Sequence, residues 1–319
     1  MKLAFFADPL ASFNLKKDST MAMMVEAAAR GHDIHAFCHQ DIVLAEGKVS
    51  AQCQQVVLAG GYDADWYRVV DSQERVLADF DAIIIRKDPP FDIRYLTAVW
   101  MLALAEKQGA SVFNTAGSIL AHSEKLSISP FQQFVKPTLV SADEDHLRRV
   151  HAQYQDIILK PLSGMGGMGI FRVQADGLNL GTIIETLTDN GQRHIMAQAY
   201  IPEIADGDKR VLLINGKVVP FALARIPKLG ETRGNLSVGG TGRAQPLTAR
   251  DREIAETLAP ELAARGLFLV GLDIIGDWLT EINVTSPTCF REITDQTGFN
   301  VAGMFIDELE KVLLSKKSR

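Results

Sequence analysis

The 319-residue chain has little of what would assign it at a glance. Its three cysteines, Cys38, Cys53 and Cys289, are far apart, odd in number and form no C-x-x-C pair. A disulfide framework is excluded and a reducing compartment is expected. The seven histidines show no metal-ligand spacing. Lysine and arginine total 33 against 39 acids, a formal charge of −6, so the basic domain typical of nucleic-acid binders is missing. That balance still permits an anionic small molecule, for which a few placed cations suffice. No apolar run approaches the ~18 residues of a membrane span. After Lys2 only residues 3–7 are apolar before Asp8 and Pro9, too short for a signal core. A cytoplasmic protein without membrane or nucleic-acid partners is expected.

What is present reads as an ordinary globular protein, 47% hydrophobic and 23% charged, long enough for two or three folded units. Residues 3–7 (LAFFA) form a buried strand, a helix follows near 20–30, Gly31 stops it, and 34–38 is again a strand. This β-α-β opening, with a strand at 82–86, a turn at KDPPFD, a helix near 94–108 and a short strand at 111–114, predicts a small open α/β domain to about residue 122. Beyond it, strands are expected near 156–162, 170–174, 195–201, 210–214 and 217–225, with helices at 144–154 and 180–188. Asn215-Gly216 signals a type I′ hairpin. Thr248-x-x-Asp251 opens a helix with Ile254, Leu258 and Leu262 on one face, ended by Gly266. Strands at 268–275 and 279–284 and a helix near 300–314 complete the reading. Residues 227–243, long and glycine-rich without periodicity, fit a functional lid or a disordered loop.

The string KPLSGMGGMGIF at 160–171 spells G-x-G-x-x-G at Gly164, Gly166 and Gly169. A dinucleotide site needs a helix after the glycines, to place its N-terminus on the pyrophosphate. Here Ile170-Phe171-Arg172-Val173 reads as a strand, which removes that assignment. A kinase would need HRD and DFG motifs, and a P-loop G-x-x-x-x-G-K-[ST]; the chain has none of these. A flap whose backbone N–H groups close over phosphates remains, alongside a hairpin tip without a ligand.

In GLDIIGDWLTEINVTSPT, 271–288, Glu281 and Asn283 share one strand face, roughly 7 Å apart. A three-residue loop at 276–278 would set Asp273 opposite Glu281, whereas a two-residue loop would turn it to the other face. In the first register two carboxylates and an amide oxygen converge, which suits Mg²⁺ bound to substrate phosphates. Ordinary surface acids are the alternative. Lys125, Lys160, Lys209, Arg210 and Arg225 are candidate cations for a triphosphate, with Lys160 favoured because it ends an apolar strand at the foot of the glycine loop.

The ordered segments EKLS (124–127), ILKPLSGMGG (158–167), MAQAYIP (196–202), DGDKRVLLINGKVVPFALARIP (206–227), ETRGNLSVGG (231–240) and VGLDIIGDWLTEINVTSPT (270–288) together resemble the bacterial glutathione synthetases, a family of ATP-grasp ligases. DPLASFNLKKDST and IIIRKDPPFD carry the resemblance into the first domain. It implies an α/β (α+β) ATP-grasp fold: an N-terminal pre-ATP-grasp domain at 1–122, a central lid subdomain at 123–201 and a C-terminal metal and substrate subdomain at 202–319. The implied reaction joins γ-glutamylcysteine to glycine through an acylphosphate, consuming ATP.

By the same resemblance, Lys125 and Lys160 contact the nucleotide phosphates while Gly164, Met165, Gly166 and Gly167 close over them. Gln198, Ala199, Tyr200 and Ile201 are the hinge that reads adenine, with Asp208 nearby. Asp273, Glu281 and Asn283 hold two Mg²⁺ ions, Mn²⁺ being the alternative metal. Arg210 and Arg225 stabilise the charge of the transferring phosphoryl group. Ser286, Thr288, Asn283, Arg233, Asn235, Lys17, Asp18 and Arg86 form the implied substrate set, 227–243 the lid, and the assembly a homotetramer. Cys289 is expected to be a small buried residue, since this chemistry needs no thiolate. Other ATP-grasp amide ligases, such as a D-alanine–D-alanine ligase or one adding glutamate to a peptide, would share the glycine loop and Glu281-x-Asn283 but lack the 231–240 and 285–288 segments. A nucleotide-binding regulatory module would need neither the acids nor both arginines.

Overall fold

The computed structural model describes residues 1–59, 65–164, 166–231, 233–234, 236 and 239–317. Strand β1 (Lys2–Phe6) buries every residue except Lys2. It leads to α1 (Ser19–Ala29), whose N-cap Asp18 accepts the Met21 N–H at 2.8 Å, and to β2 (Asp33–Phe37), which lies parallel to β1. Three antiparallel strands that the sequence reading did not contain follow: β3 (Ile42–Ala45), β4 (Lys48–Leu58) and β5 (Tyr67–Val76). The turn between β3 and β4 is Glu46-Gly47, both at positive φ, a hairpin spelled without asparagine or aspartate. β5, YRVVDSQERV, exposes most of both its faces and so shows no hydrophobic alternation. β6 (Ala82–Ile85), α2 (Ile93–Lys107), β7 (Val112–Phe113) and α3 (Ala116–Ala121) complete the unit. Its sheet runs β3-β4-β2-β1-β6-β7, with β5 on β4.

A second sheet, ordered β10-β9-β11-β8, comprises β8 (Thr138–Ser141), β9 (Ile157–Pro161), β10 (Phe171–Val173) and β11 (Ile195–Ala199). Helices α4 (Glu144–Tyr154) and α5 (Leu180–Thr188) cover one face, where Leu147, Ile184 and Leu187 pack on Ile157, Leu159 and Ala197. β9 and β10 pair antiparallel across the glycine string, in keeping with the strand read at 170–173.

The third sheet runs β14-β13-β12-β15-β16. It is formed by β12 (Asp208–Ile214), β13 (Lys217–Ile226), β14 (Thr241–Pro246), β15 (Leu269–Ile275) and β16 (Trp278–Asn283). Asn215 and Gly216 both take positive φ between β12 and β13. Helix α6 (Ala249–Ala264) starts from the Thr248/Asp251 capping box and buries Ile254, Leu258 and Leu262 under this sheet. The beginning of β14 falls inside 227–243, so the end of that segment is strand paired to Ile226 and Arg225 rather than loop. After α7 (Phe290–Thr297), α8 (Val301–Lys317) returns to the first sheet: Phe305, Ile306 and Leu309 share a core with Met21 and Met24 of α1. Each such fully buried side chain contributes about 1.5–3 kcal/mol of transfer free energy. This return closes the third sheet against the first and brings α1 and α7 to the same cavity. Among the described residues no helix is long and apolar enough to cross a membrane.

Candidate active site

A cavity of about 580 Å³ is lined by residues from all three sheets. Its floor is one face of the third sheet. Arg210 on β12 pairs in register with Asp273 on β15, and Asp273 with Glu281 on β16, giving one row across three strands. Because side chains alternate along a strand, Asp208 shares this face with Arg210, Arg225 faces it through the Asp208 pairing, and Asn283 follows Glu281. The Asp273–Glu281 pairing is reached by a different route from the expected three-residue loop. The turn has two residues, Gly276 and Asp277, and a bulge at Thr280 then shifts the register by one. Thr280 Oγ1 donates to the Asp273 carbonyl at 3.1 Å, pinning the extra residue.

The same alternation removes Lys209 from the cation set. Lying between Asp208 and Arg210, it turns to the opposite face, where its Nζ bonds the fully buried Asp251 of α6 and donates to Gly276 O at 2.9 Å. It is a structural ion pair below the sheet and does not line the cavity.

On the cavity face the charges are closely matched. Arg210 Nε lies 2.6 Å from Asp273 Oδ1; Arg225 Nη2 lies 2.9 Å from Asp273 Oδ2 and 2.5 Å from Asp208 Oδ2. Burial alone would push the Asp273 carboxyl up, but the two guanidiniums outweigh it and hold it well below the usual carboxylate range. Asp208 goes the other way: burial raises it, and the neighbouring Asp273 adds to that against Arg225. Its Oδ1 is buried and has no hydrogen-bond partner among the described residues. Lys125 Nζ sits 2.9 Å from Glu281 Oε1. Asn283 Nδ2 donates to Gly271 O at 3.2 Å, which leaves its amide oxygen as the group on offer.

No group of three or more His, Cys, Asp or Glu side chains gathers here as a closed cage among the described residues. Two carboxylates and an amide oxygen on adjacent strands fit Mg²⁺, which keeps waters and substrate oxygens in its shell rather than an all-protein set.

Above this floor, Lys160, the penultimate residue of β9, is 6% exposed, its Nζ 3.4 Å from Gln198 Oε1 on β11. Burial moves its ammonium down to about 8, with Glu281 opposing that shift and Lys125 adding to it. A triphosphate needs the charged form. Nucleotide affinity is therefore expected to weaken as pH rises through about 8, with proton uptake on binding in that range. Calorimetry in buffers of different ionisation enthalpy checks this; uptake that persists in Lys160→Met would assign the proton elsewhere.

The glycine turn begins just beyond the end of β9, with Gly164, Gly166, Gly167 and Gly169 all at positive φ, a conformation closed to most other residues. Tyr200 is held at the hinge by Arg172, whose guanidinium stacks 3.6 Å from the ring centroid while bonding Asp156 at 2.7 and 2.9 Å. In the 227–243 segment, Gly234 lies so close to β13 that a Cβ would collide with the Arg225 carbonyl. Arg233 beside it pairs with Glu231 at 3.0 Å.

The structure brings the expected site residues together. Lys125, Lys160, Gly164, Gly166 and Gly167 line the cavity with the hinge Gln198, Ala199, Tyr200 and Ile201. So do Asp208, Arg210, Arg225, Arg233, Asp273, Glu281, Asn283, Ser286 and Thr288, and from the first domain Lys17, Asp18 and Arg86. Met165 and Asn235 lie outside the described residues. Cys289 is buried, its thiol pushed up by that burial. Four acids that the sequence reading did not place in the site also line the cavity: Asp8, Asp88, Glu124 and Glu292. Glu124 Oε1 accepts Val284 N–H, Thr285 N–H and Thr285 Oγ1 at 2.9 to 3.1 Å, fixing the chain that leads to Ser286. Its position beside Lys125 was the available signal. Glu292 is on α7, a helix absent from the sequence reading, and carried none.

A model of the prokaryotic glutathione synthetase N-terminal domain matches residues 1–119, and a model of the ATP-grasp domain of the same family matches 124–298. The chain belongs to the prokaryotic glutathione synthetase family. It is similar to the glutathione synthetase of Ralstonia nicotianae, 58% identical with 98% of this chain and 96% of that protein covered. It is also similar to those of Nitrosomonas europaea, 54% identical with 99% of each covered, and Escherichia coli, 47% identical with 97% and 98% covered. Among solved structures, the D-cycloserine synthetase DcsG matches at TM-score 0.69 and 15% identity, covering 98% of this chain and all of DcsG. The ATP-grasp ligase PsnB, complexed with a precursor peptide and AMPPNP, matches at TM-score 0.62 and 18% identity, covering 100% of this chain and 98% of PsnB. These two establish the ATP-grasp fold for a glutathione synthetase-family chain.

Proposed function

We infer that the cavity joins the cysteinyl carboxylate of γ-glutamylcysteine to the amine of glycine, converting ATP to ADP and phosphate and releasing glutathione. The observation that carries this reading is the single row Arg210–Asp273–Glu281, flanked by Arg225 and Asn283, lying under Lys125, Lys160 and the glycine turn. A carboxylate is a poor acyl donor until its oxygen is made into a leaving group. The γ-phosphoryl group is transferred to it: the bond from phosphorus to the β-phosphate oxygen breaks as the bond to the carboxylate oxygen forms. Glycine's nitrogen then bonds the acyl carbon, phosphate departs with the former carboxylate oxygen, and the amine sheds its proton.

In this reading Lys125, Lys160 and the backbone of Gly164–Gly167 hold the phosphates, and residues 198–201 take the adenine with Asp208 beside them. Arg210 and Arg225, already aligned by their carboxylates, meet the negative charge that builds on the transferring group and on the tetrahedral carbon, so little reorganisation is needed. Asp273, Glu281 and Asn283 would hold two Mg²⁺ ions, or Mn²⁺ in their place. When bound, the metal would neutralise phosphate charge and draw phosphate and carboxylate oxygens together. Ser286, Thr288, Arg233 and Asn235 take the dipeptide together with Lys17, Asp18 and Arg86, and 227–243 keeps water from the acylphosphate.

ADP release is expected only when γ-glutamylcysteine and glycine are both present, measured by a coupled assay. Release driven equally by D-alanine, or by glutamate with a peptide, overturns the substrate assignment. A cytoplasmic homotetramer belongs to the same reading, supported by the exposed apolar side chains Ile93, Trp100 and Leu104 on α2 beside Val43 and Leu44 of β3. A monomeric mass by light scattering at working concentration would remove that part.

A further inference from the structure

β16, which carries Glu281 and Asn283, is an edge strand: β15 pairs it on one side, and among the described residues no strand pairs it on the other. An edge leaves every second N–H without a ladder partner, and its register is the more easily lost. Here one residue of the connection between α3 and β8 takes that open edge. The Glu124 carbonyl accepts the Ile282 N–H at 2.9 Å, and its Oε1 accepts the Val284 N–H, also at 2.9 Å. The same Oε1 accepts the Thr285 N–H at 3.1 Å and the Thr285 hydroxyl at 2.9 Å. Backbone and side chain of a single residue thus serve Ile282 and Val284 as a further strand would. The next residue, Lys125, holds Glu281 Oε1 at 2.9 Å. Buried Asn114 ties the start of β15 to the chain just past β16: its Nδ2 donates to Leu269 O and Val284 O, both at 2.8 Å, and its Oδ1 accepts the Leu269 N–H at 2.7 Å.

Ile282 and Val284 alternate with Glu281 and Asn283, so a group that holds the first pair by its N–H groups fixes where the side chains of the second pair stand. That hold matters more here than on a regular edge. The bulge at Thr280 puts an extra residue into β16, and sliding the strand back by one would part Glu281 from Asp273. We propose that Glu124 is the positioning residue of the divalent-metal site, holding β16 in the register that sets Glu281 and Asn283 beside Asp273. It acts through the place of its oxygens and does not itself meet the metal. The inference rests on the metal reading of this row given above, and extends it to a residue outside the ligand set.

Two variants separate place from charge. Glu124→Gln keeps an acceptor oxygen at the same reach and loses the charge, whereas Glu124→Asp keeps the charge and stops one methylene short. Mn²⁺ is titrated into each protein saturated with ADP, the free ion being read from its electron paramagnetic resonance signal against ADP alone, with thermal unfolding recorded alongside. Glu124→Asp is expected to weaken Mn²⁺ binding by about 10-fold or more, the usual cost of losing a group that orients a metal ligand. Glu124→Gln should retain most of the affinity. Binding by Glu124→Asp as tight as that of the unmodified chain overturns the proposal. So does an equal loss in both variants, which would give the role to the carboxylate charge itself. Should Glu124→Asp not fold, Thr285→Val takes its place: it removes one of the three donors that hold the Glu124 Oε1, and unchanged Mn²⁺ affinity there refutes the positioning role. Failure of the metal reading looks different, because the unmodified chain would then take up no Mn²⁺ beyond that bound by ADP.

Discussion

Replacing Glu281 with alanine is expected to lower turnover at saturating substrates by at least about 10³-fold, the scale of losing several kcal/mol of charge stabilisation. Glu281 stands directly opposite Asp273 and is the carboxylate of the row that no arginine engages among the described residues, where its ion pair is with Lys125. It is thus the acid most free to turn to a metal. Its removal also leaves Lys125, 6% exposed, without its carboxylate, which costs up to about 3–5 kcal/mol by the usual measure of a broken buried pair. Thermal unfolding must accompany the kinetics. Glu281→Gln keeps an oxygen in place and should fold more stably than the alanine variant while remaining slow. Near-normal turnover in a folded Glu281→Ala protein would refute the metal role.

Arg225→Ala should reduce kcat by about 10²-fold or more while KM for the dipeptide changes less, because the lost contact is made mainly to charge that develops during the reaction. The structure adds a consequence that the sequence did not show. Arg225 neutralises both Asp208 and Asp273, so the variant leaves two buried carboxylates sharing Arg210, with about 3–5 kcal/mol of stability at stake. Arg225→Lys separates the effects. Its single charge restores much of the stability, but its point-like ammonium cannot bridge Asp208 and Asp273 as the fork does. Stability recovered without kcat would support the proposed role. An unchanged kcat in Arg225→Ala would remove the residue from the mechanism.

The glycine string shows how much local pattern reveals. Strand before and strand after, read from apolar runs, excluded a helix-borne phosphate site, and β9 and β10 pair accordingly. The Asn215-Gly216 turn and the Thr248 capping box were legible for the same reason: each is fixed by neighbours a few residues away. β5 was not legible, since an edge strand solvated on much of its surface has no hydrophobic period. Lys209 looked as suitable as Arg210 because adjacent residues are indistinguishable until the sheet's faces are assigned to a helix on one side and a cavity on the other.

The sequence by itself determined the chemistry on offer: the cations, the acids at 273 and 281, the glycine turn and their order along the chain, from which the family follows. Only the tertiary structure decided which of them meet. The one-residue bulge at Thr280 sets Asp273 against Glu281 after a turn that would otherwise have parted them. The return of α8 onto α1 brings α7 and Glu292 to the cavity that Arg86 also lines, from positions about two hundred residues apart in the chain. Register and long-range packing depend on the whole set of buried contacts at once, and no local window of the sequence contains them.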